Sequence, residues 1–321
     1  MISIIIPVYN AEQSIEIAVK SILDQTFTDY EIIIIDDGSI DKSYSIAQNL
    51  AKTHGFLRCF SQENSGVTAA RKKGFMESSG EFIMFLDADD KLKQNCLEIL
   101  FTKFTKEIDI VNGSVLGVPD GRLWIHKKLG PLTKQLAVES ILMGTTFGYL
   151  YASLYRREVL QEDVFGVDDS FKIGEDVLMK MQMCKHANKV YNLSDIVYEY
   201  INNEMSAMNT KVIHPEYQIR YMAKRTLILE NFREMIDICA ISTLTEVNDA
   251  NKMVRQFFSP LVKFDTNTFL LVEKYKVNST LKESYLLDSK LLTMIYKIFK
   301  AILFRLKQFL LARENNCEVI Y

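Results

Sequence analysis

The chain contains no Cys-x-x-Cys pair and no His-x-x-x-His pair. Neither a cysteine-based structural zinc site nor a two-histidine helical one can therefore be read from it. Its five cysteines are scattered and odd in number, which argues for a reducing compartment rather than a disulfide framework. It also lacks an excess of positive charge. Lys and Arg total 38 against 41 Asp and Glu, a formal net charge of −3, which gives no electrostatic argument for nucleic acid as a partner. No stretch reaches the ~18 to 20 uninterrupted apolar residues of a membrane-spanning helix. Met1 to Asn10 has no basic start, and its apolar run is broken by Pro7, so no signal peptide is expected. The expected location is the cytoplasm, with a peripheral position on the inner face of the cell membrane as an extension. No Gly-Lys-Ser, Gly-Lys-Thr or Gly-x-Gly-x-x-Gly sequence is present, which excludes the common glycine-rich phosphate loops.

What the chain does have is alternation. Ile2 to Val8, Glu31 to Ile35, Leu57 to Ser61, Glu81 to Leu86 and Ile108 to Asn112 are apolar, β-branched runs of strand length. Between them, Ala11 to Gln25, Asp41 to His54, Gly66 to Ser78 and Asn95 to Thr105 carry the spacing of helices with one buried face. Asp41 reads as an N-cap. Strand and helix in turn predict an α/β fold, a Rossmann-like, mostly parallel sheet with helices on both faces. From Gly113 to Gly148 the pattern loosens into a glycine-containing, loop-rich insertion with Trp124 and one helix over Lys134 to Met143. Leu150 to Tyr155 reads as a strand, Arg157 to Gln161 as the start of a helix, and Val190 to Ile201 as a strand. From about Pro215 the composition is helical to the end.

Acidic clusters follow two of the buried runs. Asp36-Asp37-Gly38-Ser39 ends four isoleucines, and Asp87-Ala88-Asp89-Asp90 ends Glu81 to Leu86. The carboxyl ends of strands form the ligand rim of an open α/β sheet, so both clusters face one crevice. Two carboxylates without an evident fixed cation repel, and a divalent metal or a hydroxyl-rich ligand would relieve them. The Asp-x-Asp pair of Asp87 and Asp89 directs two oxygen ligands to one side, which suits Mg²⁺ or Mn²⁺ completed by diphosphate oxygens. Asn64 to Arg71 opens a helix whose N-terminal amides, together with Arg71, can offset negative charge. Gly174-Glu175-Asp176 precedes another helix. By themselves its acids read as helix-dipole partners, with a general base as the functional alternative.

Taken in order and spacing, these segments carry a resemblance. Ile2 to Asn10, Asp36 to Ser39, Asn64 to Arg71 and Asp87 to Asp90 look like the corresponding motifs of family 2 glycosyltransferases of the GT-A fold. The match is dense over residues 1 to 112. It resumes at Gly174-Glu175-Asp176 and more weakly over Tyr198 to Met208. The resemblance implies transfer of one sugar, with inversion, from a nucleotide-sugar, a UDP-sugar by preference. The acceptor would be a hydroxyl of a saccharide or a lipid-linked saccharide, as in bacterial surface polysaccharide assembly. It implies Mn²⁺ or Mg²⁺ as cofactor. Carried over, Pro7, Val8, Tyr9 and Asp37 line the uridine pocket with Asp36 beside them, and Arg71 is a further nucleotide contact. Asp87 faces ribose and metal, Ala88 lies between the two acids at the donor, and Asp89 ligates the metal. Asp176 is the general base, with Glu175 supporting it. Arg71-Lys72-Lys73 stands where family members often have Arg-Asn. The Gln-x-x-Arg-Trp motif of processive members is absent; Gln218-Ile219-Arg220-Tyr221 has the wrong spacing.

Two other classes compete. A sugar nucleotidyltransferase would carry a basic, glycine-rich loop after the first strand, where Pro7-Val8-Tyr9-Asn10-Ala11-Glu12 is neither. A catalytically inactive nucleotide-sugar-binding scaffold would keep the fold and lose the chemistry. The expected organisation is a catalytic domain over residues 1–212, with a nucleotide-sugar half at 1–112 and an acceptor half at 113–212. A helical region over 213–321 follows. Within it, Lys290 to Arg313 holds six basic residues and no acid. The apolar face of that tail helix, about 285–313, suits either the protein's own core or an anionic membrane surface.

Overall fold

The computed structural model of this chain describes residues 1–142, 145–166 and 175–201. The chain divides into two compact units, Met1–Lys211 and Val212–Tyr321. The description that follows concerns the first. The tail helix, the helical segments after Pro215, Gly174 and the part of Tyr198 to Met208 beyond Ile201 lie outside the described residues.

The N-terminal part follows the alternation. It comprises β1 (Ile2–Val8), α1 (Ile15–Leu23), β2 (Tyr30–Asp36), α2 (Ser43–Thr53), β3 (Leu57–Ser61), α3 (Val67–Glu77) and β4 (Phe82–Phe85). Next come β5 (Lys91–Leu92), α4 (Cys96–Phe101), β6 (Ile108–Val118), β7 (Leu123–Trp124), β8 (Gly130–Thr133) and α5 (Lys134–Leu142). The last described elements are β9 (Ser153–Arg156), α6 (Glu175–His186) and β10 (Lys189–Ile201). Ten strands form one sheet in the order β3-β2-β1-β4-β9-β6-β10-β5, with β7 on β6 and β8 on β10. The β3-β2-β1-β4 core is parallel, and β9 enters antiparallel between β4 and β6. This is the GT-A arrangement that the sequence pattern anticipates.

Isoleucine runs are continuous rather than alternating because the sheet is covered on both faces. Ile2, Ile4, Ile6 and Val8 share a core with Ile15, Ala18, Val19 and Ile22 of α1 and Cys96, Leu97 and Leu100 of α4. Ile5 faces the other way, against α3. There Gly74 lets the helix lie directly on the sheet: a Cβ at that position would stand 2.3 Å from Ile5 Cγ2.

Three expectations are corrected. Gly113 to Val118 is strand, not loop. Gly113 is glycine because Val197 of the neighbouring β10 leaves only 2.3 Å for a Cβ, and Gly117 because Trp124 and Asp120 crowd it, the use of strand glycine at a close approach. Arg157 begins only a short 3₁₀ turn, Arg157–Val159. Its guanidinium is drawn away to the Gly80 carbonyl at 2.6 Å and to Ser78 Oγ at 2.7 Å. Asp41 is one residue too early to cap α2, yet it accepts from the Ser43 backbone N–H at 2.9 Å and from the Glu12 N–H at 3.1 Å.

The Gly74 contact gives a test. Ile5 is fully buried, so a methyl at position 74 has to displace α3 from β1. Gly74→Ala is expected to cost ~1–3 kcal/mol, read as a lower urea midpoint at unchanged m-value.

Candidate active site

The crevice is built at the carboxyl ends of β1, β2 and β4. Parallel pairing places Val8 opposite Asp36, and the two strand ends are laced together just beyond. Asn10, at φ 52°, donates its N–H to Ser39 Oγ at 3.0 Å and accepts from the Ile40 N–H at 3.0 Å. Pro7 and Val8 are buried, while Tyr9 stands half in solvent at 53% exposure, as a ring beside an exposed backbone should. Asp36 is buried. Its Oδ2 accepts from the Ser39 N–H, and its Oδ1 has no hydrogen-bond partner.

Asp37 is committed to the next loop. Oδ1 accepts from Gln62 Nε2 at 2.8 Å and from the Ser65 N–H at 2.9 Å. Oδ2 accepts from the Gly66 N–H at 2.9 Å. The carboxylate therefore fixes the backbone that starts α3. Gly38 sits against the same loop at φ +75°, where a Cβ would come within 2.8 Å of the Asn64 nitrogen. Residue 38 is glycine for both reasons at once.

One turn into α3 lies Arg71. It is buried, a fixed cation set among the rim carboxylates. Nη2 meets Asp87 Oδ1 at 3.3 Å and Nη1 meets Glu175 Oε1 at 3.5 Å, while Nε and Nη1 lack hydrogen-bond partners. Burial disfavours its charge, but Asp87, Glu175 and Asp176 outweigh that and raise its pKa. The rim after β4 and the first turn of α6 thus share one guanidinium.

Asp176 is half-buried and its Oδ1 accepts from the Val177 N–H. Loss of solvation, with the adjacent Glu175 and with Asp87, pushes its pKa up to about 7 against the pull of Arg71 and the Val177 N–H. A carboxylate near neutrality is matched to taking a proton at physiological pH. Asp87 and Asp89 are half-exposed at the rim. Among the described residues no three His, Cys, Asp or Glu side chains form a ready metal cage. Two partly exposed carboxylates fit a hard cation that takes its remaining oxygens from water and diphosphate.

Three contributors escaped the sequence reading. Asp90 is buried, accepting from Tyr198 Oη at 2.8 Å and from the Ile201 N–H at 2.7 Å, so β10 is tied to the acidic loop. Tyr198 begins a ladder of stacked rings. Tyr151 lies 4.7 Å from it, Tyr149 4.7 Å further and Phe147 5.5 Å beyond. Lys180 sits one turn after Asp176 on α6, fully buried, and donates to Asn112 Oδ1, Ser153 Oγ and Tyr155 Oη at 2.6, 2.9 and 2.8 Å. Two of the three had a legible signal: Asp90 its place in the Asp87 to Asp90 cluster, and Lys180 the i, i+4 spacing from Asp176.

This is the fold of a GT-A protein, and the chain belongs to glycosyl transferase family 2, whose family model matches residues 3–164. Among its relatives, the cholesterol galactosyltransferase of Borreliella burgdorferi is 29% identical over 236 residues, 66% of this chain and 62% of that protein. The chain thus spans about three-fifths of that relative's length. Glycosyltransferase GlyG of Streptococcus pneumoniae is 26% identical across 98% of each chain. The crystal structure of S. aureus TarS 1–349 in complex with UDP superposes with a TM-score of 0.68 at 19% identity. It covers 99% of this chain and 94% of that one, and shows the shared fold.

Lys180 gives a second test. Burial lowers its pKa from 10.5 to about 7, despite Cys184 and Asp176. Between those values the unfolded chain holds a proton that the folded one does not, so this residue's contribution rises with pH. The stability difference between wild type and Lys180→Met is expected to move in favour of the wild type from pH 7 to pH 10. Denaturation at several pH values measures it.

Proposed function

We propose that this protein is an inverting, metal-assisted glycosyltransferase that moves one sugar from a UDP-sugar to a hydroxyl of a saccharide or lipid-linked saccharide. The observation that carries this reading is the Arg71 bridge, which sets the Asp87 rim and the Asp176 helix start around one point. The UDP held by TarS supports the choice of nucleotide. The names of relatives that act on cholesterol and on a pyrophosphoryl-undecaprenol-linked glycan support a lipid-borne acceptor and a place in bacterial surface glycan assembly.

In this reading Pro7, Val8 and Tyr9 form one wall for the base, with the unpartnered Asp36 Oδ1 as an acceptor at its floor. Asp37 acts by holding the Ser65-Gly66 loop, and Ala88 presents backbone between the two acids. Asp87 and Asp89 would hold Mn²⁺ or Mg²⁺. Such an ion supplies Lewis acidity to the leaving diphosphate. Asp176, ionised, takes the acceptor hydroxyl proton as that oxygen attacks the anomeric carbon. The bond from that carbon to the diphosphate oxygen breaks on the opposite face, and the nucleoside diphosphate leaves with the electron pair. Glu175 holds Arg71, and Arg71 holds Asp176 in its ionisable range. The two-unit organisation near residue 212 and a peripheral membrane position belong to the same proposal.

Two measurements test it. UDP with Mn²⁺ is expected to raise thermal stability more than GDP, dTDP or CMP do, and Asp89→Ala to remove the metal-dependent part. No stabilisation by any of these nucleotides would overturn the donor pocket, and stabilisation without sugar transfer would favour the inactive scaffold. For catalysis, kcat/KM in the wild type is expected to fall as pH drops through about 7, as Asp176 protonates. Asp176→Asn should retain UDP binding while losing transfer. Arg71→Met, which removes the group that lowers the Asp176 pKa, should shift the acid limb to higher pH. An unmoved limb would remove Asp176 from the role of base.

A further inference from the structure

Between β6 and β8 the chain makes a hairpin that the site does not use. Its strand β7 pairs antiparallel with β6, Val115 opposite Trp124 and Leu116 opposite Leu123. Alternate residues turn inward. Trp124 packs edge-on against Tyr200 with ring centroids 5.8 Å apart, and His126 Nε2 lies 3.0 Å from the Gly113 carbonyl oxygen. The outward residues of such a half-covered strand should be polar. Here they are Leu123 and Ile125, 52% and 39% exposed, joined by Leu129 at 51%.

Basic residues predominate beside these three, with Asp120 the nearest acid in sequence. Residues 121–134 include Arg122, Lys127, Lys128 and Lys134 and no acid. Arg122 lies over the Trp124 ring and reaches Asp120 at 3.7 Å. Lys127 and Lys128 are exposed. Exposed apolar side chains with exposed lysines next to them in sequence are the composition of a segment that seats in the interface of an anionic bilayer, the apolar groups entering the acyl boundary and the bases meeting headgroups.

We propose that the 121–130 hairpin is a membrane-docking loop, with Leu123, Ile125 and Leu129 inserting into an anionic lipid surface and Lys127 and Lys128 on its headgroups. The commitment to lipid rests on charge complementarity together with the apolar outer face. The hairpin is also continuous with the site. Trp124 meets Tyr200, Tyr200 lies 6.4 Å from Tyr151, Tyr151 stacks on Tyr198, and Tyr198 bonds Asp90. Docking by this loop would hold the crevice beside the bilayer, where a lipid-borne hydroxyl could reach it. That consequence rests on the transferase reading; the docking itself does not.

Trp124 is the only tryptophan in the chain and makes a built-in probe. The full chain is mixed with vesicles of phosphatidylglycerol or of phosphatidylcholine, each with and without bromine on the acyl chains. The expected result is Trp124 emission quenched by brominated phosphatidylglycerol and not by brominated phosphatidylcholine. Leu123→Ser/Ile125→Ser/Leu129→Ser should weaken partitioning roughly tenfold or more and abolish quenching. Lys127→Glu/Lys128→Glu should remove the preference for the anionic lipid. Vesicle binding with Trp124 unquenched would place the contact elsewhere, such as the C-terminal tail, and overturn the proposal. So would quenching unchanged in the triple variant. Absence of vesicle binding with self-association that the triple variant loses would mark the face as a protein interface instead. UDP-dependent stabilisation of the same sample reports the donor site separately, so either reading can fail without the other.

Discussion

The described part of this protein is organised around one buried guanidinium. Arg71 sits where the rim after β4 approaches the start of α6, and it touches an acid from each. Without it, Asp87, Glu175 and Asp176 would form an uncompensated negative cluster in a partly dehydrated crevice. Two consequences follow from Coulomb's law at low effective dielectric. Arg71 has to stay charged, as its raised pKa shows. Asp176 loses solvation there, and with Glu175 raising its pKa further and Arg71 lowering it, it lies at about 7.

The sheet explains how so few polar contacts can be placed so accurately. Covered on both faces, it presents only strand ends to the crevice. Ends of parallel strands are fixed by register, as in the pairing of Val8 with Asp36. Loops leaving those ends then need only short local ties, such as Asn10 with Ser39 and Ile40, or Asp37 with Ser65 and Gly66. The later strands are tied to the same place differently, through Tyr198 and Asp90.

Much of this was legible in the sequence where a local rule governs. Isoleucine runs followed by Asp clusters announced buried strands with polar ends, and β1, β2 and β3 fall within a residue of their expected bounds. What escaped depends on contacts between distant segments. Gly113 and Gly117 read as loop because nothing local shows that Val197 and Trp124 press against them. Arg157 read as a helix start because its tether to Gly80 and Ser78 is tertiary. The Arg71 bridge could not be read because its acidic partners, Asp87 and Glu175, come from segments far along the chain. Tyr151, in the bend before β9, and Tyr198, in β10, are ordinary aromatics until the sheet order stacks them.

The Asp37 hydrogen bonds also limit what variation the crevice can accept. Asp37 grips the N-terminus of α3, and Arg71 lies one turn further along that same helix. The helix is held at its far side by Gly74 lying on Ile5, so it can move only as a rigid lever. A change at position 37 is therefore felt at position 71, and through it at Asp176. The two sides of the crevice cannot drift independently. The Pro7-Val8-Tyr9 wall belongs to the same frame, since the Asp37 N–H donates to the Val8 carbonyl at 2.8 Å and Ile5, on which Gly74 lies, is in the same strand.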